Sequence, residues 1–182
     1  MTTHTTHQNR FRNGFRKQQL GIAAVEFALV FTLLFLALYG LITFGAVLYT
    51  QQVVARSAED GARAVIRLGK SVVANDIRVQ EAIYDALAAS LITPATMSAS
   101  LDEKRAWLRT KMAATPPEIN VSSTDRITIK VTYPYRANPL LPTLAPLTDS
   151  WMPTNLLGKA TTARPAASVS YTHLRAHETR GN

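Results

Sequence analysis

A continuous apolar run dominates the N-terminal third of the chain. Over residues 22–49 the only charged residue is Glu26, and no Lys or Arg occurs in residues 18–55. A helix over this run would be roughly 42 Å long at 1.5 Å per residue, whereas a bilayer core requires about 20 residues. Because backbone polar groups in lipid must be satisfied within their own segment, the run predicts one transmembrane helix over residues 22–49.

A cleavable secretory signal is the alternative explanation of this run. The apolar region of such a signal is normally about 7–15 residues long and ends in a small-residue cleavage site. This run is longer and is followed by Thr50-Gln51-Gln52. Basic residues precede the run at Arg10, Arg12, Arg16 and Lys17. Since Arg56 is the first basic residue after it, the positive-inside rule predicts a cytoplasmic N-terminus and a translocated C-terminal part.

Beyond the apolar run the pattern changes to that of an amphipathic helix. Apolar or small residues recur at intervals of three and four, at Val54, Ala58, Gly61, Val65, Leu68 and Val72. The other side is charged, and Arg56/Asp60 and Glu59/Arg63 are spaced as i,i+4 ion pairs. We therefore expect the transmembrane helix to continue past the membrane as an amphipathic helix.

Two shorter helices are predicted next. The first covers about residues 76–90, with Asn75 or Asp76 as its cap. The second begins with a capping box formed by Ser100 and Glu103. The inward-facing residues are expected to be Ile83, Leu87 and Leu91 in the first helix and Leu101, Leu108 and Met112 in the second, with Trp107 beside them.

Apolar and polar residues then alternate with a period of two, which predicts strands at residues 119–121 and 127–133, each with one solvent-exposed face. Pro134 ends the second strand, and residues 135–153, rich in Pro and Leu, are expected to form an irregular loop covering the sheet. The predicted fold class is α+β. A long N-terminal transmembrane helix continues into an amphipathic helix, and a small domain with about two helices and a short antiparallel sheet follows.

Composition and charge exclude several classes of function. The chain has no Cys, and its four His lie outside residues 22–168. This composition excludes most kinds of metal centre and catalytic triad from residues 22–168. The formal charge is +8, but residues 22–168 contribute only +3 of it. Since a nucleic-acid footprint requires Lys and Arg clustered on a folded face, no nucleic-acid partner is expected.

Enzymatic chemistry has little support in the sequence. The adjacent acids Glu59/Asp60 and Asp102/Glu103 lie in predicted helices, where neighbours point about 100° apart and so do not face one substrate. No glycine-rich phosphate loop occurs. We therefore expect no catalytic residues, no metal site, no cofactor and no enzyme activity.

Glu26 is the most unusual residue of the apolar run. A charge at the centre of a membrane helix costs about 2.5–3.5 kcal/mol, and less near the helix end. If the chain were cut after Gly21, Ile22 would become a new N-terminal residue, and Glu26 would be the fifth, one helical turn away. The carboxylate would then neutralise an ammonium held in lipid, either its own or that of a neighbouring subunit.

This arrangement resembles a type IV prepilin, in which a basic leader ends in Gly and an apolar helix carries Glu at its fifth position. More specifically, the run that begins Gly21-Ile22-Ala23-Ala24-Val25-Glu26-Phe27 is similar to the TadE-like pseudopilins of the tight-adherence (Flp) pilus system. The resemblance covers roughly residues 16–70 and includes the Ala/Arg-rich stretch 55–64. One departure is Ile22, where other pilin classes favour Phe or Met.

The resemblance implies a minor pilin-like component of Flp pilus biogenesis, held in the inner membrane with a periplasmic C-terminal domain. A prepilin peptidase would cut between Gly21 and Ile22, and Glu26 and Phe27 would serve subunit contacts and assembly. The implied partners are that peptidase, other pilin, pseudopilin and Tad assembly subunits, and the lipid bilayer. The amphipathic stripe would pack on its own domain or, in part, against other subunits.

Two alternatives remain open at this point. A secretion-system pseudopilin shares the leader and Glu26, and neighbouring genes for the tight-adherence ATPase and peptidase would separate the two. A signal-anchored periplasmic binding or interaction domain would not be processed as a pilin and would keep its leader.

The pattern divides the chain into four expected parts. These are a basic cytoplasmic leader (1–21), a transmembrane helix (22–49), a periplasmic α+β domain (50–167) and a tail (168–182). Within the tail, residues 169–179 resemble the translation of an adapter used in transposase-based sequencing libraries. We therefore expect the natural chain to be truncated near Ala167, with its true C-terminus unknown.

A complete genomic read through this locus should diverge from the sequence before Thr179, because an adapter has no genomic counterpart. Long-read sequencing of the source DNA measures this directly. A read that continues unchanged through Thr179 would instead make residues 168–182 a genuine polar tail.

Overall fold

The fold is α+β, as the sequence predicts. The computed structural model describes the backbone of residues 10–93, 100–122, 126–144 and 150–164, with side chains from residue 21 onward. The chain forms two units, residues 1–46 and 47–182. The elements are α1 (Arg10–Leu68), a short 3-10 turn (Gly69–Ser71), α2 (Ile77–Ala88), α3 (Leu101–Lys111), β1 (Glu118–Val121), β2 (Arg126–Tyr133) and β3 (Leu156–Ala163).

The three strands form one antiparallel sheet in the order β1-β2-β3. The central strand alternates as expected, and its inward residues Ile127, Ile129, Val131 and Tyr133 are fully or almost fully buried. Both predicted strands are therefore confirmed, and each starts one residue earlier than expected. The β1–β2 register places Ile119 opposite Ile129, so that the two side chains share the buried face.

The third strand was not predicted from the sequence. In β3 the inward positions include Gly158 and Ala160 instead of large apolar residues, so the alternation that indicates a strand is weak. The reason is close packing against α1. A Cβ added at Gly158 would lie 2.3 Å from the carbonyl oxygen of Val54, which means that only glycine fits between the strand and the helix backbone.

The C-terminal part of α1 supplies one side of the core. Of the predicted stripe, Val54, Ala58, Gly61 and Val65 are buried and Leu68 is partly buried, which confirms the amphipathic pattern within α1. Val72 is also buried, but it lies beyond the helix in extended backbone. A Cβ at Gly61 would lie 2.8 Å from Cγ1 of Ile83 and 3.4 Å from Cγ2 of Ile129. The small residue thus allows α1 to approach both α2 and β2. On the outer side, Arg63 Nη1 donates to Asp60 at 3.2 Å.

Helix α2 begins at a charged cap. Asp76, the N-cap residue, accepts a hydrogen bond from the backbone N–H of Arg78 at 3.0 Å and from Arg78 Nη2 at 2.8 Å. The Arg78 side chain holds the pKa of Asp76 below its ordinary value, which keeps the carboxylate charged at the positive end of the helix.

The inward face of α2 agrees only in part with the prediction. Ile83 and Leu87 face inward as predicted. The prediction for Leu91 was wrong, because α2 ends at Ala88 and Leu91 is 71% exposed.

The residue before this cap joins α2 to the sheet. Asn75 has a positive φ of 52°, a conformation that Asn tolerates better than most residues. Its backbone N–H donates to the Ile119 carbonyl at 3.0 Å, and its side-chain Oδ1 accepts from the Ile119 N–H at 3.1 Å. Both backbone groups of one β1 residue are therefore satisfied by Asn75.

Helix α3 lies along α2. Its N-cap is Ser100, but the predicted capping box was wrong, because the Ser100 side chain makes no cap hydrogen bond and the Glu103 N–H donates to the Ser100 carbonyl at 3.1 Å. Leu108 is buried, as is Met112 at the end of the helix. Leu101 was expected inward and is 52% exposed, since it is the first helical residue.

Charged side chains connect α3 to α2. Arg105 forms an ion pair with Asp85, and Arg109 Nη2 lies 3.6 Å from Glu81. The Arg109 guanidinium also lies 5.6 Å from the ring centroid of Tyr84. The two helices are thus held side by side.

The chain between β2 and β3 forms turns and irregular backbone in its described part, residues 134–144 and 150–155. Tyr135 is fully buried, and Arg136 Nη2 donates to the Met152 carbonyl at 2.6 Å, which ties the two ends of this connection together. Residues 145–149 of the expected loop, and the adapter-like residues 169–179, lie outside the described part of the chain.

Gly158→Ala should lower the free energy of unfolding by about 1–3 kcal/mol, the usual cost of overpacking. The added methyl would meet backbone atoms of Val54, which cannot move without shifting the helix from the sheet. Thermal unfolding of the full chain in detergent, followed by circular dichroism, measures the change.

Lys159→Ala, on the exposed face of the same strand, serves as the matched control and should leave the unfolding midpoint nearly unchanged. Equal midpoints for Gly158→Ala and Lys159→Ala would contradict the close helix–strand contact.

Candidate processing and membrane site

The residues around the predicted cleavage position lie within α1 and are exposed. Ile22 and Phe27 each expose 69% of their surface. A Cβ added at Gly21 meets no other atom within 4 Å, and the φ of Gly21 is not positive. The fold therefore imposes no requirement for glycine at position 21.

Ile22 and Glu26 lie on the same face of the helix. They are four residues apart, which corresponds to an axial rise of about 6 Å in an α-helix. Gly21, Val25 and Leu29 line the same shallow face. The structure thus brings together Gly21, Ile22 and Glu26, and it leaves Phe27 one position further round the helix.

Phe27 begins an aromatic stripe along α1. Ring centroids are 5.9 Å apart for Phe27 and Phe31, 6.4 Å for Phe31 and Phe35, and 6.4 Å for Phe35 and Tyr39. Adjacent rings are 22–23° from parallel. Sequence reasoning named only the first member, although the recurrence of aromatic residues at every fourth position was a readable signal.

The two threonine hydroxyl groups within the apolar run are satisfied by the helix itself. Thr32 Oγ1 donates to the Ala28 carbonyl at 2.7 Å, and Thr43 Oγ1 donates to the Tyr39 carbonyl at 2.7 Å. Such back-bonding removes the need for water at these positions. The run therefore presents an almost entirely apolar surface.

This part of α1 is long and apolar enough to cross a membrane. The side chains of residues 21–38 are all exposed, unlike those of a core helix in a soluble protein. A single-pass membrane anchor is consistent with both observations.

In each pair of adjacent acids outside the apolar run, one acid is paired with a neighbouring arginine. Asp60 pairs with Arg63 at 3.2 Å, and Asp102 accepts from Arg105 Nη1 at 2.9 Å. Across the part of the chain that the structure describes, no three acidic or His side chains lie together in a way that could hold a metal ion.

One family model matches this region of the chain. It is described as TadE-like protein, and it matches residues 21–63. No curated protein and no solved structure shows a significant match. The matched segment starts at Gly21 and includes Ile22, Glu26 and Phe27, as well as the first turns of the buried stripe. Residues 21–63 are therefore a TadE-like segment, and the family resemblance predicted from the sequence is confirmed for that part of the chain.

Proposed function

We propose that this chain is a minor pilin-like component of tight-adherence (Flp) pilus biogenesis. The observation that carries the proposal is the TadE-like segment that begins at Gly21, with Glu26 one helical turn after Ile22 on an exposed apolar helix. The match supports a component related to the Tad pilus. Its role as a processed pseudopilin follows from the leader and from the position of the acid.

Cleavage after Gly21 gives Glu26 a partner. Removal of the basic leader by a prepilin peptidase leaves an ammonium on Ile22, about 6 Å along the helix axis from Glu26. An unpaired carboxylate in lipid is costly, and an opposite charge within about 4–6 Å offsets that cost. The carboxylate meets the amine of its own chain or that of an adjacent subunit, so the same pair serves insertion and assembly.

The topology of the proposed component follows from the distribution of charge. The leader (1–21) is cytoplasmic, residues 22–49 cross the inner membrane, and the α+β domain (50–167) lies in the periplasm. The exposed apolar faces of α1, including the aromatic stripe that starts at Phe27, are available to the helices of other pilin, pseudopilin and Tad assembly subunits. The role is structural rather than catalytic.

Gly21→Ala should slow processing about tenfold or more, which corresponds to about 1.4 kcal/mol of lost transition-state stabilisation. The fold has room for the methyl group, so a slower cut reports on the peptidase and not on misfolding. Mass spectrometry of the membrane fraction, from cells that co-express a tight-adherence prepilin peptidase, follows the product that starts at Ile22.

Gly40→Ala is the matched control, because a Cβ there also meets no atom within 4 Å, and it should be processed like the wild type. A wild-type chain that keeps Met1 under these conditions would contradict processing and favour the signal-anchored alternative.

Glu26→Ala should leave membrane insertion intact and reduce assembly. The substitution makes the apolar run more apolar, so insertion gains, but the ammonium of the processed chain loses its partner. The measurement compares membrane-fraction yield with the number of surface fibres in cells that carry the variant.

Glu59→Ala removes an exposed acid outside the apolar run and should give wild-type fibre numbers. Normal piliation by the Glu26→Ala variant would remove the assigned role of the acid.

A further inference from the structure

Two exposed leucines lie beside the C-terminal end of the apolar run. The hydroxyl of Tyr49 accepts a hydrogen bond from the backbone N–H of Leu91 at 3.2 Å. The side-chain amide of Gln51 donates to the carbonyl oxygen of Leu157 at 2.9 Å. Leu91 is 71% exposed and Leu157 is 48% exposed. Two separate elements, the chain after α2 and the start of β3, thus present leucine to solvent at the end of the unit where α1 enters it.

A groove with basic and apolar walls starts at the same place. It has a volume of about 620 Å³, and its lining includes Leu91, Lys104, Trp107, Lys111, Leu140 and Leu141. The Lys111 ammonium lies 5.8 Å from the ring centroid of Trp107. None of the lining residues in the described part of the chain is acidic. The groove therefore suits a ligand that is both apolar and anionic.

We propose that this surface rests on the outer face of the bilayer. We call it the basal rim and define it by Leu91, Lys104, Trp107 and Leu157. The leucines enter the boundary between headgroups and acyl chains, Trp107 lies at headgroup level, and Lys104 binds the phosphate of an anionic phospholipid. Leu91 and Leu157 are exposed, and Lys104 and Trp107 are partly exposed. Leucine, tryptophan and lysine together are typical of surfaces that bind the membrane interface.

Continuity along the chain identifies the bilayer as the partner. Tyr49 is the last residue of the apolar run, and Tyr49 and Gln51 both lie in helix α1. The residues that contact Leu91 and Leu157 are therefore at the end of the proposed membrane-spanning segment itself. The proposal requires α1 to span a bilayer, as in the proposed function, but it does not depend on cleavage at Gly21 or on a role in pili.

Site-directed spin labelling of the full chain in vesicles tests the proposal. The chain has no cysteine, so Leu91→Cys and Leu157→Cys each give one labelling position, and both side chains are exposed enough for the change to spare the fold. Val73→Cys is the matched control. Val73 is 62% exposed but lies beyond Leu68, and α1 rises about 28 Å between Tyr49 and Leu68.

Power saturation in phosphatidylcholine vesicles, with and without phosphatidylglycerol, is the measurement. We expect labels at positions 91 and 157 to collide more with oxygen than with a water-soluble nickel chelate, and the label at position 73 to show the reverse. Phosphatidylglycerol should increase the oxygen preference at position 91, and Lys104→Gln should reduce that increase.

Two results would overturn the proposal. In one, the labels at positions 91 and 157 show the same preference for the nickel chelate as the label at position 73. In the other, their spectra show dipolar broadening that disappears on dilution with unlabelled protein, which would assign the surface to a second copy of the chain. Retention of the leader in cells would count against the proposed function while leaving this test unaffected.

Discussion

The structure depends on one constraint, which is that a single continuous helix must satisfy two different surroundings. Over residues 21–38 every side chain of α1 is exposed, and the apolar surface has no protein partner within the described chain that buries it. From Val54 onward the same helix buries a stripe of small and apolar residues against α2 and the sheet. Lipid and a packed core both favour apolar residues, but only the core requires small ones at fixed intervals.

The TadE-like match extends across this change of surroundings. It covers the exposed run with Glu26 and ends at Arg63, after the first buried turns. Both parts of the helix therefore belong to the recognisable segment. The sheet and helices α2 and α3 lie outside it, and their packing follows from general rules: a buried central strand, a capped helix and cross-helix ion pairs.

Elements with a strong periodic pattern were predictable, and elements defined by contacts were not. The stripe from Val54 to Leu68 and the strand that buries Ile127 and Ile129 were predicted correctly, because helix and strand periods differ and both runs were long enough to show them. Strand β3 was missed because helix packing requires Gly158 at an inward position, which removes the apolar signal.

Helix ends caused the remaining errors. Leu91 and Leu101 fit the spacing of their neighbours, yet one follows the end of a helix and the other starts one, where the inward face has no neighbouring element to meet.

The candidate site was predictable in part. The spacing of Gly21, Ile22 and Glu26 was sufficient to place them on one face, because helical geometry fixes that face. The aromatic stripe that extends from Phe27 was recognised only from the positions of the rings in the structure.

Gly158 has a further consequence for how the sheet is aligned. Antiparallel strands can slide by two residues without exchanging their faces, so alternation alone does not distinguish the native pairing from its nearest slipped forms. A slip of two would bring Leu156 or Ala160 to the place that Gly158 occupies, with a side chain against the Val54 carbonyl. One missing side chain thus selects Val131 as the partner of Gly158 and sets the pairing of every other residue in β3.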